Sequence, residues 1–440
     1  MVLSKIKNWN LMKNNTSKDK SGNKSNNSAS SGSITRKKTL ETFSINPEIL
    51  QKYADVMVNF ALHNGKGASK DDVVEIVLHE SAKEFLPYLQ AEVLKSGAKC
   101  LIRYLPHGIS RQKYELSNDE QIEFMPDNLL KGRIKDVTCT LHVISEIDKE
   151  ELKGVDPKKI MLSQKHIQKY RKLLNKKEEE GNYFWTLCMF GTPQMAKEVG
   201  LSLEEYWDEI AKACYLYYKN PVEKWKKTAI EIERVRTELN NLDIDKIHVE
   251  AKNTDLWLTI GEHRQWLGGT GHNIPSFEVY ISPDWRETQG HIQFTEKLYR
   301  YGNIIENVYL EFKDGLVTKA TATNGEEVLK EMIAQKNANK VGEFSLTDSR
   351  LSQITRFMGE TLFDENVGGK NGNTHIAVGM AYKESYTGDR TKMKEKDWNG
   401  LGFNDSSVHT DIVSTSNRKV TAILKNGEEK IIYKNGKFTI

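Results

Sequence analysis

Between residues 71 and 240, short apolar runs alternate with longer stretches in which apolar residues recur every three or four positions. "DDVVEIVLHE" and "KCLIRYL" read as buried strands, and "SAKEFLPYLQAEVLKSGA" between them reads as an amphipathic helix closed by Gly97. Strand, helix and strand at this spacing form a βαβ unit. "KDVTCTLHVIS" and "NYFWTLCMFG" supply further strands. "SLEEYWDEIAKACYL" and "NPVEKWKKTAIEIERVRTELNNL" supply helices, the second opened by Asn220 as N-cap with Pro221 in its first turn. The pattern predicts an α/β domain over residues 41–240, an open and mostly parallel sheet covered by helices.

Beyond residue 240 the period shortens to two. "DKIHVEAKNTDLWLTI", "FEVYIS", "GHIQFTE", "NIIENVYLEFKDGLVTKATA" and "VTAILKNGEEKIIYKNGKFTI" alternate apolar with polar positions. Asp314-Gly315, Asn426-Gly427 and Asn435-Gly436 mark tight turns between strands. Residues 241–440 are therefore expected to form a β-rich α+β domain that carries the chemistry. Within it, "TLFDENVGGKNGNTHIAVGMAY" (residues 361–382) reads as a helix end, a glycine turn and a second helix. On that second helix His375 and Tyr382, seven residues apart, share a face.

A length of 440 residues calls for more than one core. The charge is balanced, with 64 basic and 61 acidic residues, so no global field grips nucleic acid or an anionic membrane. No apolar run is long enough to span a bilayer. Cys100, Cys139, Cys188 and Cys214 are widely spaced, form no CxxC pair and read as reduced residues of a cytoplasmic protein. Residues 1–40 are rich in Asn, Ser and Lys and are expected to form a disordered basic tail.

Most chemical motifs fail on inspection. "HESAK" lacks the second histidine of a zinc helix, and "VGGKN" lacks the upstream glycine and hydroxyl residue of a phosphate loop. Period two places Glu306 beside Ile304, Val308, Leu310 and Phe312, and Glu250 interrupts a similar run. A carboxylate among such neighbours is costly unless a positive group compensates it. In "SSVHTDIV", His409 and Asp411 stand two apart on a strand and project to one face, close enough to share a metal. Glu365 precedes the glycine turn and His375 follows it. Counted together, Glu250, Glu306, Glu365, His375, His409 and Asp411 make a carboxylate-rich, imidazole-poor set that suits a pair of divalent ions.

These segments resemble the thermophilic aminopeptidases of the aminopeptidase T and aminopeptidase S type, which are dinuclear metallopeptidases. "HVEAKNTDL", "NIPSFEVYISP", "IIENVYLEFKDG", "LFDEN", "THIAVGMAY" and "VHTDIV" match blocks of that family in the same order. The resemblance implies that Glu250, Glu306, Glu365, His375, His409 and Asp411 hold two ions of zinc, cobalt or manganese, with Glu306 touching both. It implies that Tyr382 hydrogen-bonds the tetrahedral intermediate, that peptides with a free N-terminus are the substrates, and that the chain forms a homodimer. Three departures bear on substrate preference. Ala251 and Lys252 replace a glycine-containing turn, the Glu365-to-His375 connection is longer, and "SLTDSRLSQITRF" lacks the family's H-x-S-P-I pattern.

The reading is a metal-dependent aminopeptidase. The alternatives are a catalytically inactive homologue that binds peptide or metal, and another two-metal hydrolase such as a phosphatase. Lys252 and Lys370 are the cations available to the latter.

Overall fold

The computed structural model describes residues 43–148, 151–152, 154–300 and 303–440. The expected basic tail, residues 1–40, lies outside the described residues.

Four strands of the first half, β1 (Val73–His79), β2 (Lys99–Leu105), β3 (Cys139–Ile144) and β4 (Phe184–Met189), run parallel in the order β2-β1-β3-β4. They are joined at one edge by the two-residue β7 (Asn273–Ile274), contributed by the second half. Val74, Ile76 and Leu78 of β1 and Leu141 of β3 are fully buried, as expected for strands covered by helices on both faces. The helix Leu203–Ala213 starts at a capping box between Ser202 and Glu205 and buries Tyr206, Trp207 and Ile210. Fully burying each such large side chain stabilises the fold by about 1.5–3 kcal/mol.

The helix Pro221–Asn241 opens as its sequence predicts, with the Asn220 side chain accepting from the Glu223 backbone N–H. Its buried positions Trp225, Thr228, Ile232, Val235 and Leu239 fall three or four apart. Trp225 packs into the core around the parallel sheet, whereas Ile232, Val235 and Leu239 pack into a second core formed by later strands. One amphipathic stripe thus anchors in both cores.

The second core lies against two antiparallel sheets. The larger contains β5 (Ile244–Ala251), β6 (Thr254–Thr259), β9 (Asp284–Gln293), β12 (Tyr309–Lys313), β13 (Leu316–Thr321), β17 (Arg418–Leu424), β18 (Glu429–Lys434) and β19 (Lys437–Phe438). Their order is β13-β12-β9-β6-β5-β17-β18-β19. The expected Asp314-Gly315, Asn426-Gly427 and Asn435-Gly436 turns join its adjacent strands, with Asp314, Gly315, Gly427, Asn435 and Gly436 all at positive φ. A short pair, β10 (Leu298–Arg300) and β11 (Asn303–Ile305), stands beside it in the chain. The smaller sheet has the order β16-β15-β14-β8, from β8 (Glu278–Ile281), β14 (Val341–Thr347), β15 (Asn373–Gly379) and β16 (His409–Ser414).

One local expectation is overturned. "NTHIAVG" is not helical; it is β15, paired on both sides and buried at all seven positions. Periodicity does not separate a short buried helix from a fully buried strand. The flanking glycines decide it, because Gly372 and Gly379 both sit at positive φ and interrupt any continuous helix. The segment before it is a single helical turn, Thr361–Asp364.

Gly379 also sets the approach of β15 to β16. Its φ is +106°, and a Cβ there would lie 2.0 Å from the Val408 carbonyl oxygen. Gly379→Ala is expected to destabilise the protein by about 2 kcal/mol or more, through both backbone strain and the clash. A thermal melt checks this, and an unchanged melting temperature would contradict the close approach.

Candidate active site

Strand register gathers the ionisable groups before any side-chain contact is considered. Directly opposed residues of paired strands share a face. In the smaller sheet Thr347 pairs with Glu278, Ser345 with His375, Glu343 and Asp411 each with Ala377, and Gly379 with His409. Glu278, Glu343, His375, His409 and Asp411 therefore project from one face. From the other face Val279, Ile281, Phe344, Leu346, Ile376, Val378 and Ile412 enter the second core. A one-residue slip would put charges into that core, so the apolar face fixes the register of the polar one.

Both imidazoles are anchored in the same way. His375 Nδ1 is 3.2 Å from the Glu365 carbonyl oxygen, and His409 Nδ1 is 2.8 Å from that of Met380. A carbonyl can only accept, so Nδ1–H donates in each ring and Nε2 turns toward the carboxylates. His375 Nε2 lies 3.0 Å from Glu343 Oε1, 3.4 Å from Glu278 Oε2 and 3.8 Å from Asp411 Oδ1. His409 Nε2 lies 3.5 Å from Asp411 Oδ1 and 3.7 Å from Glu343 Oε2. Glu343 faces both rings.

The fourth carboxylate, Glu365, arrives on a loop that is tied back on itself. Asn373 Nδ2 donates to the carbonyls of Glu365 (2.9 Å) and Val367 (2.7 Å). Asn366, fully buried, accepts from the Phe277 N–H at 2.7 Å and donates to Glu365 Oε1 at 3.3 Å. The long connection from Glu365 to His375 thus returns both residues to one place. Tyr382 follows β15 with its ring 4.6 Å from that of His409, and its backbone N–H donates to Ser282 Oγ at 2.8 Å.

Glu278, Glu343, Glu365 and Asp411 are all buried. Burial, then the charge of Glu343, raises the Glu278 carboxyl to about 7. Burial, with Glu278, Asp411 and Glu343, holds Glu365 well above the ordinary range. Burial opposes protonation of the imidazoles, but the hydrogen bond to Glu343 and the surrounding carboxylates raise His375 to about 9. His409 is likewise raised to about 9, burial being outweighed mainly by Asp411 and Glu343. Asp411, despite burial, is lowered to about 2 by the two imidazoles and Arg300. The shifts of Glu278, Glu365, His375 and His409 each add positive charge to the cluster or remove negative charge from it, while Asp411 stays ionised between the two imidazoles.

Divalent ions fit this donor set. The triads Glu278, Glu343, His375 and Glu343, His409, Asp411 each bring three donor atoms within 4.8 Å of one another and share Glu343. Asp411 Oδ1 is buried without a hydrogen-bond partner, an acceptor with unused capacity. Oxygen-rich ligation with imidazole and no thiolate suits zinc, cobalt or manganese.

Of the residues singled out in the sequence, Glu365, His375, His409, Asp411 and Tyr382 are brought together, and Glu250 and Glu306 are not. Glu250 is the penultimate residue of β5 in the larger sheet, where it pairs with Lys419 Nζ at 2.5 Å and His248 Nδ1 at 3.7 Å. Glu306 pairs with Lys297 Nζ at 3.0 Å and forms a backbone bridge to Asn324. The expected continuous strand through Glu306 breaks at Asn307, whose φ of 53° resets the alternation between β11 and β12. Glu278 and Glu343 stand in the cluster instead. The signal for them was present in "FEVYI" and "VGEFSL", where each is the single acid inside an apolar strand.

The chain matches the family model described as thermophilic metalloprotease (M29) over residues 46–438. It is 28% identical to aminopeptidase PepS of Streptococcus thermophilus over 417 residues, covering 89% of this chain and 98% of that protein. It is 26% identical to aminopeptidase T of Thermus aquaticus, covering 89% and 99% of the two chains. The solved structure of wild-type AmpT from Thermus thermophilus shares the fold with a TM-score of 0.75 at 23% identity, covering 89% of this chain and 99% of that one. With nearly its whole described length matched, the chain belongs to the thermophilic metalloprotease (M29) family and is a metal-dependent peptide hydrolase.

Proposed function

We propose that the chain is an aminopeptidase whose two divalent ions are held by Glu278, Glu343, Glu365, His375, His409 and Asp411. The observation that carries this is the convergence of four buried carboxylates and two imidazoles, both rings turned inward by backbone carbonyls. The relatives are named aminopeptidases, which supports the same substrate class here. The excess of carboxylates over imidazoles also favours a cationic ligand, and a free peptide N-terminus carries that charge near neutral pH.

Bound divalent ions lower the pKa of water and polarise the scissile carbonyl. The chain's own groups do the rest. Glu343, which faces both imidazoles and belongs to both donor triads, would help hold both ions, the role expected of Glu306 from the sequence. A carboxylate of the cluster would take a proton from the attacking water and return it to the leaving amine. Tyr382, its ring beside that of His409, would donate to the oxyanion of the tetrahedral intermediate.

Substitution separates these assignments. Glu343→Gln is expected to remain folded, lose metal and fall about a hundredfold or more in peptide turnover, whereas Glu250→Gln and Glu306→Gln stay within about threefold of the parent. Aminoacyl-coumarin hydrolysis and elemental analysis read both effects; the reverse ranking would return the ligand role to Glu250 and Glu306. Tyr382→Phe is expected to keep its metal and lose about 10- to 1000-fold in kcat, with little change in KM. Full kcat in that variant would remove the tyrosine from the chemistry.

The metal-stripped protein has a predictable pH response. His375 and His409 rise from 6.5 to about 9 on folding, and Glu278 rises from 4.5 to about 7. Groups raised on folding contribute stability that is complete below the unfolded value and lost as pH climbs through the folded one. Asp411 acts oppositely, but its window lies below 3.8. The chelated protein should therefore melt at progressively lower temperature between about pH 4.5 and 9, and added zinc should remove most of that slope. Melting curves that are flat with pH, or equally steep with zinc, would contradict the account.

A further inference from the structure

A second group of donors lies at the N-terminal edge of the parallel sheet. His63 follows the first helical segment, Asp72 immediately precedes β1, and Cys139 is the first residue of β3. His63 Nε2 is 2.9 Å from both Asp72 carboxylate oxygens. Cys139 Sγ is 3.4 Å from His63 Nε2 and 3.5 Å from Asp72 Oδ1. Asp72 and Cys139 are buried, while the His63 side chain is 25% exposed.

A nucleophilic triad does not explain this arrangement. In a Cys-His-Asp relay the acid and the thiol meet opposite nitrogens of the ring. Here thiol and carboxylate converge on the same nitrogen, and the sulfur has no solvent access for a substrate. A common centre is what one cation requires. With metal–sulfur bonds of about 2.3 Å and metal–nitrogen bonds of about 2.0–2.1 Å, a tetrahedral sulfur–nitrogen edge is about 3.5 Å. The Cys139 Sγ–His63 Nε2 separation matches it and the sulfur–oxygen separation is of the same size, while the 2.9 Å between His63 Nε2 and Asp72, a hydrogen-bond length without the ion, would open to about 3.4 Å around one.

We propose that His63 Nε2, Asp72 and Cys139 Sγ form a zinc-class metal site in the α/β region, independent of the carboxylate-rich site. The partly exposed His63 side leaves room for water as fourth ligand. The outer contacts already orient the acid: Asp72 Oδ2 accepts from Ser69 N (2.8 Å) and Ser69 Oγ (2.9 Å), and Oδ1 accepts from Thr138 Oγ1 (2.8 Å). A thiolate, a carboxylate and a neutral imidazole around a dication sum to zero charge, which suits a buried place. Burial and Asp72 push the Cys139 thiol up to about 12, so the ion-free thiol keeps its proton. Binding then forms the metal–sulfur bond and releases that proton to solvent.

Sulfur ligation supplies a readout that the other site cannot give, since its donors are oxygen and nitrogen. Full-length protein, stripped of metal and titrated with cobalt(II), is expected to show a near-ultraviolet thiolate-to-cobalt charge-transfer band at up to one site per chain. Cys139→Ser should abolish the band while peptide hydrolysis stays within about threefold of the parent. His63→Asn, chosen because asparagine tolerates the left-handed backbone that His63 adopts at φ 50°, should weaken or abolish it. Cys100→Ser should retain it. Absence of the band in the parent protein, or its survival in folded Cys139→Ser, would overturn the proposal.

Discussion

Three carboxylates on one buried sheet face and a fourth on the loop against it repel one another, and the rest of the second half of the chain is arranged around that repulsion. Glu278, Glu343, Glu365 and Asp411 cannot all remain ionised out of water without positive charge among them. Protons on His375, His409, Glu278 and Glu365 supply compensation when no ion is present. Divalent cations would supply it instead, displacing those protons and taking up the Nε2 lone pairs of the imidazoles. On the proposed ligand set, metal binding and folding stability would be linked at the same six residues.

The scaffold pushes these charges together through apolar packing. The opposite face of the four-stranded sheet sits in the second core, so Phe344, Leu346, Ile376 and Ile412 determine which way Glu343, His375 and Asp411 point. The helix Pro221–Asn241 ties that core to the one around the parallel sheet. Buried amides complete the placement where packing alone cannot. Asn366 and Asn373 satisfy the loop carbonyls and hold Glu365 against the strand that follows it.

Much of this was legible in the residues. The parallel strands, the Asn220 cap, the tight Asp-Gly and Asn-Gly turns and the shared face of His409 and Asp411 all follow from local pattern and appear as expected. Position along the chain could not reveal which strands become neighbours. Glu250 and Glu306 carry the same local signature as Glu278 and Glu343, an acid inside an apolar alternation, but they find lysines on the larger sheet and at its margin. The deciding information is sheet partnership, which is long-range. The strand "NTHIAVG" carries a helix-like pattern for a related reason: a segment buried on both faces loses the alternation that distinguishes strand from helix.

Cations are expected to complete the face formed by β8, β14, β15 and β16. Anomalous diffraction at the metal absorption edge, from crystals of active protein grown without chelator, tests it most directly. The expected result is two anomalous peaks enclosed by Glu278, Glu343, Glu365, His375, His409 and Asp411, with none at Glu250 or Glu306. Metal found at Glu250 or Glu306 while that face stays metal-free in active protein would contradict the account.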